Sequence, residues 1–158
     1  MRYASIRNMD ITNGDGIRVS IFFQGCNFRC KGCWIENTCD FNGGKEFTKQ
    51  VEDKFIELAN KDNIVGISVL GGEPFHQPPT EILSFLKNVK QQTNKPIYLW
   101  TGYDFENIPN QYKECLQYIN IIICGRFIEE LKDYTLKWCG SRNQVVYRKE
   151  GNIWKKEM

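Results

Sequence analysis

A chain of 158 residues can bury one substantial core and is too short for two ordinary domains. Its composition, 41% hydrophobic and 13% aromatic, excludes a disordered chain, and no apolar run approaches the roughly 18 to 20 residues that cross a bilayer as a helix. With 21 basic and 19 acidic residues the net charge is +2, and no Lys/Arg block tracks a phosphate backbone, so neither membrane nor nucleic acid is expected as a partner.

The first residues, Met1-Arg2-Tyr3-Ala4-Ser5-Ile6-Arg7, carry positive charge with no apolar stretch behind them, so no secretory signal and a cytoplasmic address are expected. Seven cysteines is an odd count at modest density, which predicts reduced thiols rather than a disulfide framework.

Residues 1–16 show little periodicity but contain the turn-forming run Asn13-Gly14-Asp15-Gly16. Arg18-Val19-Ser20-Ile21-Phe22-Phe23, β-branched and aromatic, predicts a buried strand. After a cysteine-rich loop and the turn Asn42-Gly43-Gly44, a helix of about twelve residues is expected from Thr48, with Val51, Phe55, Leu58 and Ala59 on one stripe. Ile64-Val65-Gly66-Ile67-Ser68-Val69-Leu70 reads as a strand buried on both faces and ends in Gly71-Gly72-Glu73-Pro74. A second helix is expected over 80–92, then the strand Ile97-Tyr98-Leu99-Trp100 ending in Thr101-Gly102-Tyr103. A short helical stretch at 112–117 precedes the strand 119–124, which closes with Gly125-Arg126-Phe127, and Val145-Val146-Tyr147 adds a further strand. This alternation predicts a single α/β domain over 1–158 with a mainly parallel sheet, too short to close and therefore a partial, open β/α barrel.

The special stretches all follow strand ends, where ligand sites of α/β folds collect. First among them is Cys26-x3-Cys30-x2-Cys33, three thiols in eight residues. Soft sulfur ligands suit zinc or an iron-sulfur cluster, and a four-iron cubane held by three thiolates keeps one iron open to a small molecule. Two other readings stand beside it: zinc on Cys26, Cys30, Cys33 and Cys39, and a thioredoxin-like pair of Cys30 and Cys33 that leaves Cys26 idle. Gly71 and Gly72 let backbone approach a ligand closely, and Glu73 offers an acceptor for an ammonium group.

The triplet followed by Gly-Gly-Glu-Pro one strand later resembles the radical S-adenosylmethionine superfamily. Asn13-Gly14-x-Gly16-x-Arg18, Trp100-Thr101-Gly102-Tyr103, Gly125-Arg126-Phe127 and Trp138-x-Gly140-Ser141-x-Asn143-Gln144 narrow the resemblance to the activating proteins of anaerobic ribonucleoside-triphosphate reductases, over about residues 10–147. The resemblance implies one radical SAM domain with a [4Fe-4S] cluster on Cys26, Cys30 and Cys33. It implies S-adenosyl-L-methionine held by Gly32, Cys33 and Trp34 and by Gly71, Gly72 and Glu73, with no catalytic residue beyond the cluster ligands. It also implies flavodoxin or ferredoxin as electron donor, and as target a glycine of the large catalytic reductase subunit. A superfamily enzyme acting on a small molecule, or a zinc-binding adaptor, are the alternatives.

The chain departs from that family at Asp15, usually Pro, at Cys124, usually Asp, and at Cys139, usually Arg. Both thiols are expected as small buried side chains. Arg18 and Arg126 are candidates to pair with a cofactor carboxylate or with Glu73. His76 is expected as a solvated loop residue, since radical hydrogen abstraction needs no general base.

Overall fold

The fold was analysed in a computed structural model that describes residues 1–33 and 35–157. Eight strands form one sheet: β1 (Arg2–Asp10), β2 (Arg18–Phe23), β3 (Lys45–Glu46), β4 (Gly66–Gly71), β5 (Ile97–Thr101), β6 (Ile121–Cys124), β7 (Val145–Glu150) and β8 (Ile153–Lys156). Their order is β3-β1-β2-β4-β5-β6-β7-β8, so β3 and β8 are free edges and the sheet does not close.

The three central pairings, β2 with β4, β4 with β5 and β5 with β6, are parallel. The four outer ones are antiparallel, which corrects the expected mainly parallel sheet to a mixed one. Connection length explains two of the four. Central strands are joined by crossovers, two of which carry the helices α1 (Lys49–Ala59) and α2 (Pro79–Thr93), whereas β1 to β2 and β7 to β8 return through short turns that permit only antiparallel pairing.

Thr48 starts α1 by accepting the Val51 N–H on its hydroxyl at 3.2 Å, an N-cap that satisfies one otherwise unpaired donor. Pro79 opens α2, where its missing N–H is not needed, and Asn94 ends it in the left-handed conformation with φ 52°. The helical stretch expected at 112–117 is a 3-10 helix, Asn110–Tyr118.

Alternation divides the sheet into two unlike faces. Val19, Ile21, Phe23, Ile67, Val69, Ile97, Leu99 and Ile122 pack with Phe55, Phe85 and Leu86 of the helices in the main core. The opposite face carries Arg18, Ser20, Ser68, Tyr98, Trp100, Ile121 and Ile123, and is covered by residues 10–16 and the 126–144 excursion instead of helices. Arg18 is 1% exposed. It donates to Ser68 Oγ at 2.9 Å and to the carbonyls of Asp15, Ile67 and Pro96 at 3.0 Å, and it stacks 3.8 Å from the Tyr98 ring. These bonds take four of its five N–H donors, so its role is to seal the bottom of this face and not to bind a cofactor.

Candidate metal centre

The polar face opens at the carboxyl ends of β2, β4, β5 and β6 into a cavity of about 360 Å³, the size of a small-molecule site. Cys26, Cys30 and Cys33 line it together with Gly71, Gly72 and Glu73. Gly32 is exposed and not part of the lining, and Trp34 lies outside the described residues.

Thr12, Asn13, Phe28 and Trp138, to which the sequence assigned no site role, line the cavity as well, and so does Cys39, weighed from the sequence only as a fourth zinc ligand. Thr12 and Asn13 arrive on the β1–β2 connection, whose composition signals only a turn. Trp138 and Cys139 arrive on the long excursion after β6. Gln144 holds that excursion down: its Oε1 accepts the Gly140 and Ser141 N–H groups at 2.7 and 3.2 Å, and its Nε2 donates to Gly125 O at 2.8 Å. Cys139 is therefore half-buried on the cavity wall, while Cys124, as expected, is a core thiol whose pKa burial pushes far up.

Gly71 and Gly72 have a role that composition alone does not reveal. Gly71 has φ 119°, in the left-handed half of conformational space, and a Cβ there would strike the backbone of Phe23. At Gly72 a Cβ would lie 2.5 Å from Gly25 O and 2.7 Å from Thr38 O. The close approach is thus to the neighbouring backbone as well as to the cavity, and two bonds exploit it: Gly72 N–H to Phe23 O and Glu73 N–H to Gly25 O, both 2.9 Å.

Glu73 is 2% exposed and braces two strand ends. Its Oε2 accepts the Phe75 N–H at 2.9 Å and the Thr101 hydroxyl at 2.7 Å, while Oε1 accepts the Gly102 N–H at 2.7 Å. Burial lifts its pKa to about 7 against the pull of these three bonds. Three of a carboxylate's roughly four acceptor positions are taken by the protein, which leaves one for a ligand.

His76 is a brace as well, not the solvated loop residue expected. Its Nδ1 accepts the Asn27 N–H at 3.0 Å, so Nε2 carries the proton and donates to Tyr103 Oη at 3.0 Å. Burial and the Arg126 charge lower its pKa, in keeping with the neutral ring this geometry needs. Phe28 packs 4.7 Å from the His76 ring and 4.9 Å from the Tyr103 ring, and the Arg126 guanidinium lies 4.4 Å over the Phe28 ring itself. Arg126 makes no ion pair among the described residues, Glu73 included.

These ties join the cysteine loop to three other strand ends, so the donor set is held by the fold. All seven cysteines are free thiols. Burial raises the Cys26 thiol to about 11 and Cys33 in the same direction, so a metal must displace their protons on binding. Among the described residues no three His, Cys, Asp or Glu side chains gather closely enough to hold one ion. In a cubane each thiolate takes a different iron, so a cluster does not require that convergence. Three soft donors on one cavity wall, beside a glycine-lined backbone and one acceptor position on Glu73, fit a cluster with a small zwitterionic ligand beside it.

An open α/β sheet with a cysteine-lined cavity at its strand ends defines an iron-sulfur domain, and a family profile described as a 4Fe-4S single cluster domain matches residues 12–147. Anaerobic ribonucleoside-triphosphate reductase-activating proteins align along almost the whole chain. That of Salmonella typhimurium is 38% identical over 93% of this chain and 98% of its own length. That of Escherichia coli is 37% identical over the same shares, and that of Enterobacteria phage T4 is 35% identical over 98% and 99%. The chain belongs to this family of activating proteins.

Proposed function

We propose that the chain is the activase of an anaerobic ribonucleoside-triphosphate reductase, a radical S-adenosylmethionine enzyme with a [4Fe-4S] cluster on Cys26, Cys30 and Cys33. When bound, the cluster would supply the single electron for reductive cleavage of S-adenosylmethionine, the chemistry that would raise a glycyl radical on the reductase. Electrons come from a flavodoxin or ferredoxin, and the setting is cytoplasmic. The observation that carries this reading is the shared cavity: three thiols and the Gly71-Gly72-Glu73 loop line one space of about 360 Å³.

The chain's own residues bind, orient and shield. Cys26, Cys30 and Cys33 hold the cluster on a loop fixed by the bonds of Gly25 and Cys26 N–H to Thr38 and Cys39 O. Gly71 and Gly72 present backbone to the cofactor's amino acid end, and Glu73 gives its remaining acceptor position to the ammonium. From the cysteine loop Cys33 and Trp34 hold the cofactor, whereas Gly32, outside the lining, only turns the chain between them and Cys30. The Arg126 guanidinium at the wall, which has no ion pair among the described residues, suits the cofactor carboxylate, because its planar fork makes two parallel bonds to such a group. Trp100 and Trp138, linked by Trp100 Nε1–H to Trp138 O at 2.9 Å, cover the floor and exclude water from the reacting atoms.

The test is anaerobic reconstitution with iron and sulfide. Brown protein is expected that cleaves S-adenosylmethionine when reduced and leaves an organic radical signal on the reductase subunit. Cys30→Ala is expected to lose colour and cleavage together. A colourless Cys30→Ala protein that still cleaves the cofactor sinks the reading, and cleavage with no radical on the reductase assigns the chemistry to a small-molecule substrate.

A further inference from the structure

Cys39 lines the same cavity as Cys26, Cys30 and Cys33, and the cluster leaves it without a role. Its carbonyl accepts the Cys26 N–H at 3.1 Å, and the two residues are 6% and 7% exposed. Residues tied backbone to backbone in this way are neighbours in space, which is the first requirement of a disulfide. Cys30 and Cys33 are joined in their own turn by the Cys33 N–H to Cys30 O bond at 3.1 Å. Loss of a cluster therefore leaves an even set of four thiols on one cavity, with Cys30 tied to Cys33 and Cys26 to Cys39 through their backbones.

We propose that Cys39 is the resolving thiol of the cluster site, closing a disulfide with Cys26 when the cluster is destroyed by oxidation and so keeping that ligand recoverable. This rests on Cys26 being a cluster ligand, as proposed above. The oxidant is a peroxide. Hydrogen peroxide transfers one oxygen to the Cys26 sulfur, giving a sulfenic acid and one water. The Cys39 sulfur then attacks that sulfur; the S–O bond breaks, the S–S bond forms, and the hydroxide leaves with the Cys39 proton as a second water. Two thiols have lost two electrons and two protons to one peroxide. Without Cys39 the odd thiol of the triplet has no adjacent partner, and further peroxide drives it to sulfinic and sulfonic acids, which a dithiol does not reverse.

The experiment treats the reconstituted full-length protein with hydrogen peroxide until its iron-sulfur absorbance is gone, alkylates the remaining thiols and digests without reductant. The peptides of Cys26 and Cys39 are expected in one species that dithiothreitol separates, and the reduced protein is expected to reload iron to its starting level. Cys39→Ser is expected to load iron like the parent before peroxide. After peroxide and reduction its loading should be lower by roughly threefold or more, with Cys26 recovered as sulfinic or sulfonic acid. Full alkylation of Cys39 in the treated parent, or equal reloading by the variant, overturns the proposal. Should the variant misfold, the disulfide map of the parent decides alone. Iron loading before peroxide reports separately on the cluster assignment, and the map decides the resolving role whatever that first step gives.

Discussion

Glu73 shows how one side chain can serve the frame and the ligand together. Its carboxylate accepts from Phe75, Thr101 and Gly102, which belong to two different strand-end loops. In Glu73→Gln an NH2 group faces at least one donor that the carboxylate had accepted, so a loss of about 1–3 kcal/mol is expected in denaturant unfolding. The pH dependence has a defined sign. Burial raises this carboxyl from its ordinary 4.5 to about 7, so between those values the folded chain holds a proton that the unfolded chain has released. Stability from Glu73 is therefore full below about pH 4.5 and declines as pH rises toward 7. The stability gap between parent and Glu73→Gln, measured on cluster-free protein, should narrow across that window, and a gap that widens with pH contradicts the assignment. Asp10 behaves in the opposite way. Burial pushes its pKa up, but bonds from Asn13, Ser20 and Thr12 outweigh burial and bring it to about 2. Its contribution is present above about pH 3.8 and lost as pH falls through 2. Asp10→Asn should thus weaken the fold near neutrality and make little difference near pH 2, read as midpoints of urea unfolding.

At the scale of elements, the loop after β4 is spaced against the cysteine loop by the missing side chain of Gly72. A methyl group in Gly72→Ala meets two carbonyl oxygens, neither of them the end of a flexible side chain, so one of the backbones must move. Overpacking of this kind costs about 1–3 kcal/mol. The predicted outcome is a lowered unfolding midpoint together with reduced iron loading, because the displaced segment is the one that carries Cys26. Unchanged loading would mean that the two loops are not coupled. The strand-end loops were legible in the sequence because their residues are unusual for ordinary turns, and the central strands β2, β4, β5 and β6 because continuous apolar runs mark burial on both faces. What could not be read was partnership. Nothing in Gly-Gly-Glu-Pro says that its carboxylate is taken up by Thr101 and Gly102, or that His76, two residues on, accepts the Asn27 N–H. Such contacts join residues far apart in the chain, and local pattern carries no trace of them.

Across the whole molecule, β7 was legible in Val145-Val146-Tyr147, but β1, β3 and β8 escaped the sequence, and for β1 the reason is related. β1 is largely half-exposed, and its pairing with β2 is broken by register shifts between Tyr3 and Ser5 and between Arg7 and Asp10, so no clean alternation survives. The same separation of centre and rim bears on how the fold depends on its metal. The main core is built from the helix-side residues of the sheet together with α1 and α2, and of the seven cysteines it includes Cys115 and Cys124 but none of the triplet. In small zinc domains the metal replaces a core that does not exist; here the core lies on the other face of the sheet from the cavity. Chelation should therefore leave the far-ultraviolet spectrum and a single cooperative unfolding transition in place. Cluster binding should add to stability only by mass action, and for a domain of this size about 1 kcal/mol moves the midpoint by roughly 2–4 °C. In hydrogen exchange, chelation should deprotect residues 24–43 and 72–77 while β2, β4 and β5 stay the slowest segments. If the chelated chain instead lost its cooperative transition, the cysteine loop would have to be counted as part of the core. Cys26 and Cys39 could then not remain neighbours once the cluster is gone, so the same measurement bears on the resolving thiol.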